Sequence, residues 1–276
     1  MELKSSVRPQ PDAQDEEVGS GRQAGKAAAA SNAGSTNPSS YLSALPGHEM
    51  EDLQPAHVNT NRELEEIFQD MMGSFDDRES EHNWLAREKN VKKLRHLARG
   101  NAYKDFQSTF QAGIKSLLDG ILKTVNSLRT SLSTNGGQLV KDLAIVMGPG
   151  LDPMVEILLS SLVKLCAGTK KITSQLGQVV VAVVMANVSY HPKLLAHIFI
   201  ACNDKNVSPR SYAAGWIAVV LESHVDQKGY IEHTGGLDVI EKCIKRGLAD
   251  ANPGVRESMR QTYWKFVAIW PHRAEA

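Results

Sequence analysis

The stretch "GLADANPGVRESMRQTYWKF", residues 247–266, joins the end of one amphipathic segment to the start of another. Asn252 is a favoured helix N-cap, and Pro253 suits the first turn, where a missing amide hydrogen has no intrahelical partner. The apolar residues that follow recur at steps of three and four and therefore share one helix face: Val255, Met259, Tyr263, Phe266 and Trp270. Arg256 and Arg260 each lie one residue further on, at the edge of that face. The pattern predicts two helices joined by a tight turn, with basic side chains beside the turn.

Segments with the same helical period follow one another through most of the chain. Short breaks rich in glycine, proline and asparagine separate them, such as "GPGLDP" at 148–153 and "DKNVSP" at 204–209. Short breaks favour antiparallel packing of consecutive helices. The predicted helices span 82–99, 103–126, 128–147, 152–167, 172–189, 192–203, 208–224, 235–249 and 253–270.

The turns also repeat. "VNSLRTSLST" at 125–134 and "GTKKITSQLG" at 168–177 each combine polar residues, one apolar residue and a helix start. Five such turns align on residues that are 44, 44, 37 and 46 positions apart: Trp84, Leu128, Ile172, Pro209 and Val255. This spacing is close to the period of HEAT repeats, whose helical hairpins stack into a solenoid. The sequence therefore predicts an all-α HEAT-repeat α-solenoid over 61–274.

Residues 1–60 differ in composition from the rest of the chain. They include "GRQAGKAAAASNAGSTNPSS" at 21–40 and contain few large apolar side chains. Such a segment buries too little apolar surface to offset the entropy of ordering, so 1–60 is predicted to be a disordered tail or linker. Order is predicted to begin with a helix near 62–75, where Asn61 can act as the cap.

Composition narrows the class of protein. The formal net charge is zero, with 31 basic and 31 acidic residues, which argues against a nucleic-acid binder. "VVVAVVMANV" at 179–188 is too short to span a membrane and is predicted to be a central buried helix, and the N-terminus is too polar for a secretory signal. Cys166, Cys202 and Cys243 lie far apart in apolar stretches and are expected to be buried, reduced thiols of a cytosolic or nuclear protein.

The sequence shows no recognisable catalytic motif. "NGG" at 135–137 and "GPG" at 148–150 lack the Lys-Ser/Thr pair of a phosphate-binding loop, and the histidines do not have metal-ligand spacing. A catalytic triad that assembles only in space stays open. The sequence predicts a protein-binding module and not an enzyme, with no cofactor, metal or small-molecule substrate.

In stacked hairpins, the turns that join the two helices of each repeat lie along one edge. The side chains at those turns are therefore expected to be neighbours: Trp84, Arg87, Arg129, Lys170, Lys171, Lys205, Arg210, Arg256 and Arg260. Such a basic edge would attract an acidic protein surface. Each of these residues has a plainer interpretation: the cations as solvated surface groups, and Trp84 as a core residue. Leu85 is expected to belong to the buried stripe of its helix.

Several blocks of the sequence resemble one known family. The blocks are "W-x-x-R-E-K-x-V-x-x-L-R-x-L-x-x-G-N-A" at 84–102, "MVEILLSSLVKLCAGTKKIT" at 154–173 and "GLDVIEKCIKRGLADANPGVRESMRQTYWKFVAIWP" at 236–271. They resemble the second TOG domain of CLASP proteins, the cytoplasmic linker-associated proteins, and are most similar to the fungal members. The resemblance covers about 61–274. It implies that 62–75 is an extra N-terminal helix beside the first repeat; the alternative is simply the first helix of the solenoid.

The resemblance also implies a function. TOG domains of this family contact the tubulin heterodimer through their intra-repeat loops, which places Asn252 at the binding edge with the basic residues named above. The implied role is to stabilise microtubules, suppressing catastrophe and promoting rescue, including in the mitotic spindle. The implied location is the cytoplasm and its cytoskeleton, with nuclear spindle microtubules during mitosis. The alternative is a generic HEAT-repeat scaffold that binds a peptide or protein on its inner helix faces.

Overall fold

The computed structural model describes residues 39–274, and within them the regular structure is helical. Two short 3-10 turns, Gly148–Leu151 and Val225–Gln227, lie between longer α-helices. The α-helices are α1 (Ser40–Ala44), α2 (Asn61–Asp76), α3 (Trp84–Arg99), α4 (Ala102–Asp105), α5 (Gln107–Ser116), α6 (Leu118–Val125), α7 (Thr130–Met147), α8 (Asp152–Cys166), α9 (Lys171–Asn187), α10 (Pro192–Cys202), α11 (Val207–Ser223), α12 (Lys228–His233), α13 (Gly236–Leu248), α14 (Pro253–Ile269) and α15 (Pro271–Ala274).

Ten of these helices form five consecutive pairs. The pairs are α2 with α3, α6 with α7, α8 with α9, α10 with α11, and α13 with α14. The second helices pack side by side in chain order and form the B layer: α3, α7, α9, α11 and α14. The first helices, with α5 beside α2 and α6, form the opposite A layer. Stacked helical pairs in two layers are the architecture of an α-solenoid, which confirms the predicted fold class.

The hydrophobic core lies between the two layers. Helix α9 is its centre, since every side chain from Val180 to Met185 is buried, in agreement with the prediction for this stretch. Trp216 of α11 is fully buried, and its indole N–H donates to the Gln178 carbonyl at 3.0 Å, so burial leaves no donor unpaired. The three cysteines are also buried free thiols, as predicted.

Two helix predictions need correction. The single helix predicted at 103–126 is α4, α5 and α6, with non-helical backbone at Phe106. The break allows Phe110 to pack edge-on against both Phe68 and Tyr103, with ring centroids 5.9 Å apart in each case. Helix α12 was not predicted. Helix α2 packs on α3, α5 and α6. It is the first helix of the first pair, which agrees with the alternative interpretation of 62–75 as simply the first helix of the solenoid.

The prediction of disorder for 1–60 is wrong for its last third, and residues 1–38 lie outside the described residues. Helix α1 packs on α9 and α11, and after a bend and turn at 45–47 the chain continues without helix to the start of α2. Leu42 and Val58 are buried at the two ends of this segment. We call residues 39–58 the strap. Its order comes from these apolar contacts together with hydrogen bonds between its backbone and B-layer side chains, and composition does not reveal the hydrogen bonds.

One stretch, Thr130–Cys166, has the length and apolar composition of a membrane-spanning segment. It consists of α7 and α8, separated by the 3-10 turn at Gly148–Leu151, where Gly148 adopts a φ of +50°. Most of the buried apolar side chains of both helices belong to the hydrophobic core, which accounts for the apolar composition.

Candidate protein-binding edge

Five short loops connect the A-layer helix of each pair to its B-layer helix. They are loop 1 (77–83), loop 2 (126–129), loop 3 (167–170), loop 4 (203–206) and loop 5 (249–252). We call these loops, together with the first two turns of the B-layer helices that follow them, the loop edge. Hydrogen bonds or ion pairs join each loop to the next, so the predicted side-by-side arrangement of the turns is present in the structure.

Loops 1 and 2 meet at a stacked tryptophan. The Arg129 guanidinium lies over the Trp84 ring, 5.0 Å from its centroid, in a cation–π arrangement. The same guanidinium pairs with Glu79 at 3.2 Å and with Glu81 at 2.5 Å. Trp84 is therefore only partly exposed, and its interpretation as a core residue is wrong. The charge of Arg129 is offset by two carboxylates of loop 1.

Loop 3 is tied to both of its neighbours. The Lys170 ammonium donates to the Leu128 carbonyl of loop 2 at 2.9 Å. The Asn206 amide of loop 4 donates to the Ala167 carbonyl of loop 3 at 3.4 Å. Lys170 keeps most of its surface in solvent while making this contact. The contacts fix the spacing of the three central loops without neutralising a charge.

Arg210 joins loops 4 and 5 and is largely occupied by that role. Its Nε and Nη2 atoms contact the two carboxylate oxygens of Asp250 at 2.7 and 3.2 Å. Its Nη1 donates to the carbonyls of Asp204 and Lys205, both at 3.0 Å. These hydrogen bonds, donated by Arg210 and accepted by Asp250, lower the pKa of Asp250 and raise the pKa of Arg210. The predicted basic contact at Arg210 is therefore a clamp within the loop edge.

Loop 5 has the cap that the sequence predicts. The Asn252 carbonyl oxygen accepts from the amides of Gly254 and Val255 at 2.9 and 3.3 Å. Arg256 folds back over the loop, and its Nη1 donates to the carbonyls of Asp250 and Ala251 at 2.6 and 2.9 Å. Asn252 thus shapes the turn, while Arg256 retains an unneutralised charge at the edge.

The predicted exposure of Arg87 is wrong, and so is the predicted burial of Leu85. Arg87 is only 1% exposed, and its guanidinium donates to the Asp77 carbonyl. It lies four and seven residues before Val91 and Leu94, on the buried stripe of α3. Leu85 lies off that stripe and faces solvent. Helical spacing places Arg87 on the buried stripe and Leu85 off it, and the hydrogen bond to the Asp77 carbonyl allows the arginine to occupy a buried position.

Of the predicted cations, Lys170, Lys171, Lys205 and Arg260 are exposed at the loop edge. Arg260 pairs with Glu257 one turn away at 2.7 Å. Lys171 and Lys205 have no side-chain partner within residues 39–274. Of the ten residues predicted for this edge, Arg87 and Arg210 are therefore internal contacts, Asn252 is a cap, and Trp84 and Arg129 form one stacked unit.

The prediction missed a row of exposed apolar side chains on the same edge. The row consists of Leu85 (61% exposed), Leu128 (85%), Ile172 (65%) and Val207 (42%). Each one lies beside the loop of a different pair, in pairs one to four, and so they form a line along the loop edge. The turn alignment placed Leu128 and Ile172 at equivalent positions, which was the available signal. Apolar side chains exposed in a line and flanked by lysines are typical of a protein-binding surface.

No group of acidic, histidine and cysteine side chains suited to hold a metal ion occurs among the described residues. The loop edge presents apolar and cationic groups on a set of mutually bonded loops. Such a surface can bind another protein by burying apolar area and by attracting acidic groups.

Among solved structures, the chain is similar to a designed armadillo repeat protein in complex with the peptide (KR)4. That likeness has a TM-score of 0.39 at 16% identity, and it covers 75% of this chain and 91% of the other. A second, an engineered protein, gives a TM-score of 0.41 at 14% identity over 76% of this chain and 89% of its own.

Sequence comparison gives a closer relation. The chain is 56% identical over 224 residues to Protein stu-1 of Neurospora crassa, and 53% identical over 226 residues to Protein STU1 of Chaetomium globosum. These matches cover 81% and 82% of this chain and 20% of each relative, so the chain spans about a fifth of their length. A family model described as "CLASP N terminal" matches residues 64–276. This chain belongs to the CLASP N-terminal family.

Proposed function

We propose that this chain is a tubulin-binding TOG domain of a microtubule-associated protein, and that it contacts the tubulin heterodimer through the loop edge. The observation that carries the proposal is the exposed apolar row with lysines beside it. Full burial of a leucine or isoleucine side chain contributes about 1.5–3 kcal/mol. Four partly exposed residues of this kind are therefore enough for a specific contact, while Lys171 and Lys205 would attract an acidic partner and speed association.

The bonds between the loops support the same proposal. A partner that binds mobile loops loses affinity because those loops must be ordered on binding. Here the Trp84–Arg129 stack and the Arg210–Asp250 pair hold the ends of the loop edge in place before any partner arrives. Membership of the CLASP N-terminal family and the turn positions that resemble CLASP loops favour tubulin as that partner.

The biological role follows from the family. We propose that the whole protein stabilises microtubules by suppressing catastrophe and promoting rescue, including in the mitotic spindle, and that it acts in the cytoplasm on the cytoskeleton. The chain would be the second TOG domain of that protein. Nucleic acid, membrane and small-molecule substrates have no part in the proposal.

The scaffold hypothesis requires the B-layer face to be available to a peptide. The strap crosses that face from Glu222 of α11 to Asn101 after α3. A partner on this face must therefore compete with the chain's own residues, whereas the loop edge is uncovered. This difference favours the loop edge as the primary contact.

The test is binding of soluble tubulin by the full chain, measured by sedimentation velocity at low and at physiological salt. Ile172→Asp at the loop edge is expected to weaken binding at least ten-fold, since it removes an apolar contact and adds a repelling charge. Ile157→Asp is the matched control, because Ile157 is 53% exposed on α8 of the A layer, away from the loops. Both variants should keep wild-type helicity. Equal binding by the two variants, or no binding by the wild type, would overturn the proposal.

A further inference from the structure

The strap is held to the B layer by polar contacts that run over all five repeats. Ser40 donates to Glu222 of α11 at 2.8 Å, and the Gln178 amide of α9 donates to the Tyr41 hydroxyl at 2.7 Å. The chain then passes over α7 and α3 and ends beside Asn101. Between residues 43 and 57 no strap side chain is buried. Leu45 and Ala56 pack against the core while only partly buried, so hydrogen bonds and charge contribute much of the attachment of this middle part.

Lys141 of α7 binds the strap through its main chain. The Lys141 side chain is nearly inaccessible, with the residue 1% exposed, and its ammonium donates to the carbonyls of Gly47 at 2.8 Å and Glu49 at 2.5 Å. Burial lowers the pKa of Lys141. Residues 45–47 form a bend and turn, in which Gly47 adopts a φ of +79°. This lysine therefore binds the main chain of the turn and of the residues just after it, and its two hydrogen bonds are made to carbonyls and not to side chains.

A carboxylate of the strap completes a buried group of charges. The Arg95 Nη2 contacts Glu51 at 2.7 Å, and its Nε contacts Asp142 at 2.7 Å. Arg99 also pairs with Asp142, at 2.9 Å, and donates to the Glu51 carbonyl. The B layer thus contributes three cations and one carboxylate here. Glu51 offsets part of the excess positive charge, and the hydrogen bond from Arg95 lowers the pKa of Glu51.

The last contacts are again made to main-chain atoms. The Asn101 amide donates to the Val58 carbonyl, and its oxygen accepts from the Val58 amide, both at 2.9 Å. The Ala56 amide donates to the His96 carbonyl at 2.8 Å. Gly100 permits this approach, because a Cβ at that position would lie 1.7 Å from the Ala56 carbonyl oxygen. At this end of the strap, the hydrogen bonds to the B layer are therefore made by main-chain atoms of the strap.

We propose that Arg95, Arg99, Asn101 and Lys141 form a binding site for an acidic peptide, that residues 47–58 occupy it in cis, and that an acidic peptide in trans exchanges with them. Backbone contacts and one carboxylate define the ligand, so the required pattern is a turn at the position of Gly47 followed by an acid at the position of Glu51. The charges are complementary, because the strap carries Glu49, Glu51 and Asp52 while the site has excess positive charge. This inference is independent of tubulin binding at the loop edge.

The cis segment has an advantage over any competitor. A tethered segment has an effective concentration in the millimolar range, so a free peptide binds the wild-type chain weakly. Weakening the cis contact raises the fraction of molecules with an open site, and apparent affinity rises in proportion. Glu51→Gln replaces a charge-assisted hydrogen bond, and we expect it to tighten binding of the wild-type peptide about ten-fold.

The test uses the full chain and a fluorescein-labelled peptide of residues 45–58, with fluorescence anisotropy as the readout. Asp52→Asn is the matched control, since it makes the same charge change at an exposed side chain that forms no hydrogen bond or ion pair within residues 39–274. The expected result is ten-fold tighter binding to Glu51→Gln than to the wild type or Asp52→Asn, lost when the peptide itself carries Gln at its Glu51 position. Hydrogen exchange at the Ala56 and Val58 amides should also become faster in Glu51→Gln.

Two results would overturn the proposal. One is the absence of peptide binding to Glu51→Gln at millimolar concentration, with exchange at Ala56 and Val58 unchanged. The other is equal binding to all three chains that persists with the Gln-substituted peptide, which would show non-specific attraction of an acidic peptide to a cationic surface.

Discussion

Asp142 is the most consequential buried charge in the described part of the chain. Its carboxylate is fully buried and contacts Arg95 at 2.7 Å and Arg99 at 2.9 Å, beside the Lys141 ammonium. Asp142→Asn keeps the size of the side chain and removes its charge. Three buried or nearly buried cations would then share only Glu51, which lies at the surface of the strap.

The expected cost follows from the burial of this group. Removing one partner of a buried ion pair destabilises a protein by about 3–5 kcal/mol, because the remaining charge is left without compensation. Glu51 partly compensates here, so we expect a loss in the free energy of unfolding near the lower end, about 3 kcal/mol. For a domain of about 150–250 residues, each kcal/mol lowers the melting temperature by about 2–4 °C, which predicts a fall of about 6–12 °C.

Urea denaturation followed by circular dichroism measures this loss. Asp119→Asn is the control, since the Asp119 side chain is 82% exposed and forms an i,i+4 pair with Lys123 at 2.8 Å. Such an exposed pair contributes about 0.5 kcal/mol or less. The cost of Asp142→Asn should also persist in high salt, because buried charges are poorly screened. A loss below about 1 kcal/mol, or one equal to that of Asp119→Asn, would refute a dependence of stability on this buried cluster.

Three further predictions concern stability and reactivity. Asp250→Asn should lower the free energy of unfolding by about 1–2 kcal/mol in urea, because Arg210 loses a charged partner in a mostly buried site; an unchanged midpoint would show that loops 4 and 5 do not depend on this pair. Burial lowers the pKa of His224, whose Nε2 donates to the Met185 carbonyl at 2.9 Å. Its unfolded-state value is 6.5, so the stability it contributes is complete above that pH and is lost as the pH falls below it. Melting temperature should therefore fall between pH 7.5 and 5.5 more steeply in the wild type than in His224→Gln, and parallel slopes would contradict this. Burial raises the pKa of the Cys166 thiol, and the other two cysteines are also buried. An aromatic disulfide reagent should therefore label no thiol of the native chain within minutes, and all three in urea. Rapid labelling of the native chain would disprove the protection of these thiols by burial.

Much of the fold could be predicted because helix signals are local. Asn252 and Pro253 mark the start of α14, and the apolar stripes give each helix its buried face. The repeat spacing then predicts the stacking. The break in the helix at Phe106 was not visible, since it depends on how Phe110 meets Phe68 across the layer.

The loop edge was predicted less completely than the fold. Whether a side chain there is exposed depends on the partners that the folded protein gives it. Arginine is usually a surface residue. Arg87 and Arg210 instead donate hydrogen bonds to carbonyl or carboxylate groups that come within reach only when the loops are folded. Leucine and isoleucine are usually core residues. Leu128 and Ile172 are nevertheless exposed to solvent at the loop edge. Binary patterning cannot separate these cases when a residue lies at the boundary between a loop and a helix.

The strap shows a second limit of composition. It belongs to a stretch, 1–60, with few large apolar side chains, so composition predicts disorder, whereas its position depends on partners that are far away in the sequence, such as Lys141. Order supplied by main-chain hydrogen bonds to a distant surface leaves no periodic signal in the segment itself.

The most direct test of tubulin binding at the loop edge is hydrogen–deuterium exchange of the full chain with and without excess soluble tubulin. The predicted result is slower exchange in loops 2, 3 and 4 and in the first turns of α7, α9 and α11, with the outer surfaces of α8 and α10 unchanged. Protection confined to the A layer or to the strap, with exchange in the loops unaltered, would contradict the proposed mode of binding.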